Sequence, residues 1–156
     1  MQMSDGGFFY DTGIVDVGCQ VALLDGAGPP LYHSERAVGF DLTANEDAFI
    51  RPGRVAKVAT GVILKPSPGY FAMVVARSSL QKRGLMLANG VGIVDPDYCG
   101  PTDQVFLPLH NFDEVTITVK RGERLAQVVI LPHIRAIFGM FSPGVVDRGG
   151  FGSTGK

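Results

Sequence analysis

Soft and borderline metal ligands are scarce: 156 residues include two cysteines, Cys19 and Cys99, and three histidines, His33, His110 and His133. The cysteines form no CxxC pair and no HExxH occurs, which argues against a structural or catalytic zinc site. Two unclustered thiols fit a reducing compartment, although a disulfide between them stays open. Lys and Arg nowhere form a long run and the formal net charge is -1. The electrostatic footprint of a DNA- or RNA-binding protein is therefore missing. A small phosphate ligand is still compatible, since a few local cations and backbone N–H groups suffice for one. The opening Met1-Gln2-Met3-Ser4-Asp5-Gly6-Gly7 lacks the basic start and apolar stretch of a secretion signal. The apolar runs Tyr70–Ala76 and Leu125–Leu131 are too short to cross a bilayer. The expectation is a cytoplasmic protein with neither nucleic acid nor membrane as partner.

Glycine and proline, by contrast, are plentiful, with 21 and 10 copies. They punctuate short apolar stretches, the pattern of an all-β domain. Val115, Ile117 and Val119 alternate with Thr116, Thr118 and Lys120, which predicts a strand with one wet face. Leu125–Leu131 is apolar apart from Gln127 and predicts a strand buried on both faces. Strands are also expected over Val15–Leu24, Val55–Leu64, Gly69–Ala76, Leu85–Val91 and Gln104–Leu109, with turns at Arg51-Pro52-Gly53 and Ser67-Pro68-Gly69.

Three segments carry candidate chemistry. Ser78-Ser79-Leu80-Gln81-Lys82-Arg83-Gly84 opens on capping residues and stops at glycine, so it predicts a helical turn or two. Its N–H groups, with Arg77 beside them, could face an anion. Gly92 to Gly100 reads as a turn that sets Asp95 and Asp97 beside the ring of Tyr98. The segment from Gly149 to Lys156 is glycine-rich and fires two phosphate-loop patterns. Both patterns must open a helix, and none is expected after Lys156, so neither is taken as a fold signal. What survives is general: glycine backbone can cradle phosphate oxygens, with Ser153, Thr154 and Lys156 as donors.

The order of these segments is more telling than any one of them. Gly39-Phe40-Asp41-Leu42 comes first, then Arg77-Ser78-Ser79-Leu80, then Gly92–Gly100, then Gly122-Glu123-Arg124-Leu125-Ala126-Gln127, then Gly-Phe-Gly-Ser-Thr-Gly. The series resembles the five ordered motifs of the trimeric dUTPase family, within the dUTPase/dCTP deaminase superfamily. The resemblance runs from about Val15 to Lys156. It implies an all-β, distorted jelly-roll or β-clip subunit over 15–138, with an N-terminal extension over 1–14. An arm over 139–156 would end in a lid that reaches a neighbouring subunit of a homotrimer. It implies hydrolysis of dUTP to dUMP and pyrophosphate at composite sites. Asp95 would be the general base. Tyr98 would pack on deoxyribose, and Asn89 with the backbone from Gly92 to Val94 would bond uracil. Arg77, Ser78, Ser79 and Gln127 would hold phosphates. Arg148, Phe151, Gly152 and Ser153 would close over the nucleotide. Mg²⁺ would ride on the phosphates with no direct protein ligand, near Asp41.

The sequence departs from the family pattern in places. Ala76 and Ser79 stand where proline and glycine are usual, the stretch from Asp95 to Asn111 is longer, and Arg148 lies closer to Phe151. Arg77-Ser78-Ser79-Leu80 and Asp95-Pro96 also resemble dCTP deaminase, alone or bifunctional. That chemistry needs a glutamate before Asn111, where Pro108 stands, and Gln104–Leu109 holds no carboxylate. A third reading is a non-catalytic nucleotide-binding regulator that docks through the loop around Pro101 and Asp103.

Overall fold

The computed structural model describes residues 16–146. Eleven strands and a single turn of 3-10 helix are present among the described residues. Every strand pair is antiparallel. The strands are β1 (Cys19–Leu23), β2 (Phe40–Thr43), β3 (Ala48–Ile50), β4 (Val55–Ala59), β5 (Val62–Pro66) and β6 (Tyr70–Ala76). They continue as β7 (Leu85–Leu87), β8 (Val91–Val94), β9 (Phe106–Asn111), β10 (Ile117–Val119) and β11 (Arg124–Pro132). A four-stranded sheet runs β2-β11-β6-β8 and a three-stranded sheet runs β4-β9-β7. Two ribbons, β1-β5 and β3-β10, complete the all-β architecture.

The core follows from period-two alternation. In β9, Leu107, Leu109 and Asn111 point inward while Phe106, Pro108 and His110 are half-buried. Leu42, Leu125 and Val128 from the larger sheet meet Val58, Leu85, Leu107 and Leu109 from the smaller in one cluster. Within β11, which is central to its sheet, Leu125, Ala126 and Val128 are buried. Asn111, one of three buried polar residues with Asp41 and Thr60 among the described residues, is fully bonded. Its amide donates to Ile50 O at 2.8 Å and Val115 O at 2.7 Å, and its oxygen accepts from Asp113 N at 2.8 Å.

Three expectations change in detail. The stretch Val55–Leu64 is two strands, because the chain turns a corner at Thr60-Gly61 and moves from the β9 sheet to the β1 ribbon. Gly61 has φ +68°, and a Cβ there would sit 2.5 Å from Ala27 Cβ. The corner is held by Thr60 Oγ1 donating to Val105 O at 2.7 Å and Gly61 N donating to Gln104 Oε1 at 2.8 Å. The stretch Leu85–Val91 divides at a turn, where Gly90 N donates to Leu87 O at 3.0 Å. The predicted helix shrinks to Gln81–Arg83, with no side-chain cap bond and Gly84 in the left-handed region at φ 71°. Buried Leu80 pins this turn to the core. Strands β2 and β3 were not expected, being only four and three residues long. Cys19 and Cys99 are both free thiols.

Candidate active site

Strand β8 and the turn after it build a slot. Its cavity of about 290 Å³ is lined by Asn89, Gly92, Ile93, Val94, Asp95 and Tyr98 on the hairpin side. Val105, Phe106, Leu107 and Pro108 from the β9 segment line the opposite side. Gly92 is directly opposite Val74 of β6, and a Cβ on it would sit 3.1 Å from Val74 Cβ. The lack of a side chain keeps this wall thin. The turn Asp95-Pro96-Asp97-Tyr98 closes with Tyr98 N donating to Asp95 O at 3.1 Å. That turn sets a carboxylate and a phenol ring at the mouth, both exposed. The added residues after Gly100 fold onto themselves, with Gly100 N donating to Asp103 Oδ2 at 2.7 Å.

A second group lies across the larger sheet. Asp41 is only 5% exposed, and its Oδ2 meets Arg77 Nε at 3.2 Å, Arg124 Nη1 at 3.3 Å and His33 Nε2 at 3.3 Å. A β-bulge at Leu125 shifts the β2–β11 register. The carbonyls of this kink receive Arg77: its backbone N–H donates to Leu125 O at 3.2 Å and its Nη1 to Arg124 O at 3.4 Å. Gln127 stands directly opposite Asp41 in the ladder and is half-buried. Ser78 and Ser79 follow the half-buried Arg77, and both are exposed.

The fold brings Asn89, Gly92, Val94, Asp95 and Tyr98 together, and separately Arg77, Gln127 and Asp41. It does not join the two groups within one chain. Val75 pairs with Gln127 on one side and Val91 on the other. Arg77 lies two residues beyond that row, and Asp95 lies four residues past Val91 in the opposite direction. At roughly 3.3 Å per residue the two ends are about 20 Å apart. Arg148, Phe151, Gly152 and Ser153 lie outside the described residues. Lys57, Phe106 and Gln104 of the slot and His33 and Arg124 of the cluster were not anticipated, because only strand register brings them in.

The donor chemistry around Asp41 bears on Mg²⁺. Among the described residues no three His, Cys, Asp or Glu converge as metal ligands. Asp41 already faces two guanidinium groups and an imidazole, so it is a poor hard-cation ligand.

Fold and slot define the class: an all-β protein with a cleft of nucleobase size and an arginine-rich cluster on the same sheet. Comparisons with known proteins make it specific. The dUTPase family model matches residues 27–155. The deoxyuridine 5'-triphosphate nucleotidohydrolase of Paraburkholderia xenovorans is 40% identical over 134 residues, 81% of this chain and 88% of that one. A crystal structure of dUTPase from Streptococcus mutans superposes with TM-score 0.70 at 31% identity, covering 76% of this chain and 98% of that one. The dUTPase of Staphylococcus bacteriophage 80alpha, solved with dUPNHPP, gives TM-score 0.77 at 21% identity, covering 89% of this chain and 99% of that one; it supports the fold alone. The chain belongs to the dUTPase family.

Proposed function

We propose that the chain hydrolyses dUTP to dUMP and pyrophosphate by attack of water on the α-phosphorus, with Asp95 as general base. The observation that carries this is the slot: a mainly apolar cleft with backbone at one wall and Asp95 and Tyr98 at its mouth. The base enters between β8 and β9. Asn89 and the backbone of Gly92 to Val94 bond its edge, which leaves the wrong base with unpaired polar groups. Tyr98 packs against the sugar and takes the space of a 2′-hydroxyl. Asp95 accepts a proton from water as the new P–O bond forms and the bond to pyrophosphate breaks. Proton acceptance of this kind is worth roughly 10²–10⁴ in rate. Arg77, Ser78, Ser79 and Gln127 hold phosphate oxygens. Mg²⁺, when bound to the triphosphate, supplies further charge neutralisation.

The separation of Arg77 from Asp95 supports a site shared between chains, and we read the assembly as a homotrimer. The slot of one copy then faces the arginine cluster of another. Ile134, Ile137 and Phe138, past the last strand at the end of the β-domain, and Met140, at the start of the arm, are almost fully exposed. They suit a surface that lies on a neighbouring copy. In this reading 15–138 is the β-domain, 1–14 an extension and 139–156 the arm, with Arg148, Phe151, Gly152 and Ser153 closing the site. The deaminase alternative is disfavoured: β9 carries no carboxylate, and Asp95 is the one acid lining the slot among the described residues.

Pyrophosphate release from dUTP, dCTP, dTTP and UTP tests the activity. Asp95→Asn should lower kcat about 10²-fold or more while nucleotide binding persists. Wild-type kcat in the Asp95→Asn variant would remove Asp95 from the mechanism.

A further inference from the structure

Among the described residues that line the slot, two carry a formal charge: Asp95 and Lys57. Asp95 is at the mouth, and the dUTP reading gives it the water. Lys57 comes from the other wall. It lies on β4 directly opposite Pro108 of β9, and Phe106 is the diagonal neighbour on the same face. Its Nζ rests 3.8 Å from the centroid of the Phe106 ring. That contact fixes where the ammonium stands, since a cation over a ring face is held by the ring quadrupole. Lys57 makes no ion pair among the described residues. Its remaining N–H groups are therefore offered to whatever fills the slot.

The rest of the lining selects what that is. Val74, Leu87, Val94, Val105 and Leu107 make an apolar cleft suited to a flat ring and hostile to a phosphate. A lysine ammonium has donors and no acceptor. Uracil offers carbonyl oxygens on both sides of its N3–H, whereas cytosine puts an amine donor where uracil has O4. Both bases share the O2 carbonyl, so an ammonium tells them apart at position 4, where it meets an acceptor in uracil and a second donor in cytosine.

Building on the dUTP reading, we propose that Lys57 is a specificity-determining residue that donates to O4 of uracil and disfavours the 4-amino group of cytosine. Phe106 is its positioning residue.

The test compares kcat/KM for dUTP, dCTP and UTP in the wild-type enzyme, Lys57→Met and Lys57→Arg, together with Kd for dUMP and dCMP. Methionine keeps the stem and removes the donors. Lys57 is exposed, so the variant should melt with the wild type. The preference for dUTP over dCTP should fall roughly 10- to 100-fold in Lys57→Met, the scale of one charge-assisted hydrogen bond. Binding of dUMP should weaken against dCMP in parallel. Lys57→Arg should recover part of the preference, and the dUTP-to-UTP ratio should hold. An unchanged dUTP-to-dCTP ratio overturns the proposal. So does an equal loss for every nucleotide, which would place the ammonium against phosphate. A wild-type enzyme that cleaves none of the nucleotides fails at an earlier point, at the dUTP reading itself.

Discussion

Asp41→Asn removes one charge and almost no volume from the cationic cluster. In the wild type a single oxygen, Oδ2, serves Arg77, Arg124 and His33 at 3.2, 3.3 and 3.3 Å. These distances are longer than the roughly 2.7–2.9 Å of the strongest charge-assisted bonds, so each contact belongs at the weak end of its range. Arg124 and His33 are about half exposed, at 42% and 48%, and exposed pairs contribute roughly 0–1 kcal/mol. Arg77, at 23%, is better shielded and should contribute about 1–1.5 kcal/mol. An asparagine oxygen can still accept one of the three donors. The expected loss of stability is therefore about 1–2 kcal/mol, with Asp41→Ala nearer 3 kcal/mol. Urea melts at fixed protein concentration measure it. A functional loss of similar size should accompany it, because Arg77 depends on Asp41 for its aim. KM for dUTP should rise about tenfold with kcat less affected. A double-mutant cycle with Arg77→Gln should give a coupling of about 1 kcal/mol or more. Wild-type stability and KM in Asp41→Asn, or a coupling near zero, would refute the idea that Asp41 orients Arg77.

Asn111→Ala strands one buried backbone group, Ile50 O, and removes the bonds of two part-buried ones, so it should cost about 2–3 kcal/mol and lower Tm by several degrees; a shift under a degree or two would mean that water replaces the amide. Deleting residues 149–156 should cut turnover sharply and leave the fold and assembly unchanged, as judged by steady-state kinetics and sizing. Full activity in the truncated enzyme would remove the lid role from Phe151, Gly152 and Ser153.

Legibility in the sequence depended on how local each feature is. Asp95 and Tyr98 share one tight turn, so their neighbourhood could be read from adjacent letters. Arg77 and Asp41 were each legible as parts of separate motifs. Their ion pair was not, because it exists only where β2 and β6 flank β11. Lys57 looked like one more polar residue on an alternating strand. Its place beside Phe106 comes from the β4–β9 register, which no local pattern encodes. The corner at Gly61 was hidden for the opposite reason: apolar residues continue through it, and the need for glycine arises from Ala27 and Asn45, distant in sequence. The helical turn or two expected after Arg77 is present as the single 3-10 turn Gln81–Arg83, which ends at Gly84 as the sequence indicates, while its packing through buried Leu80 is a tertiary feature that no local pattern encodes.

The outward-facing stretch after β11 also bears on how the protein is made. A chain that has just left the ribosome carries Ile134, Ile137, Phe138 and Met140 in water, with Phe141, Val145 and Val146 further along. Its strands can all be in place while this stretch is still adhesive. Under the proposed assembly, copies must meet before anything else binds there, so the rate of synthesis and the local number of sister chains become part of the folding problem. Slow or sparse expression would leave single chains to chaperones, and abrupt overexpression would crowd these stretches against one another before each is seated.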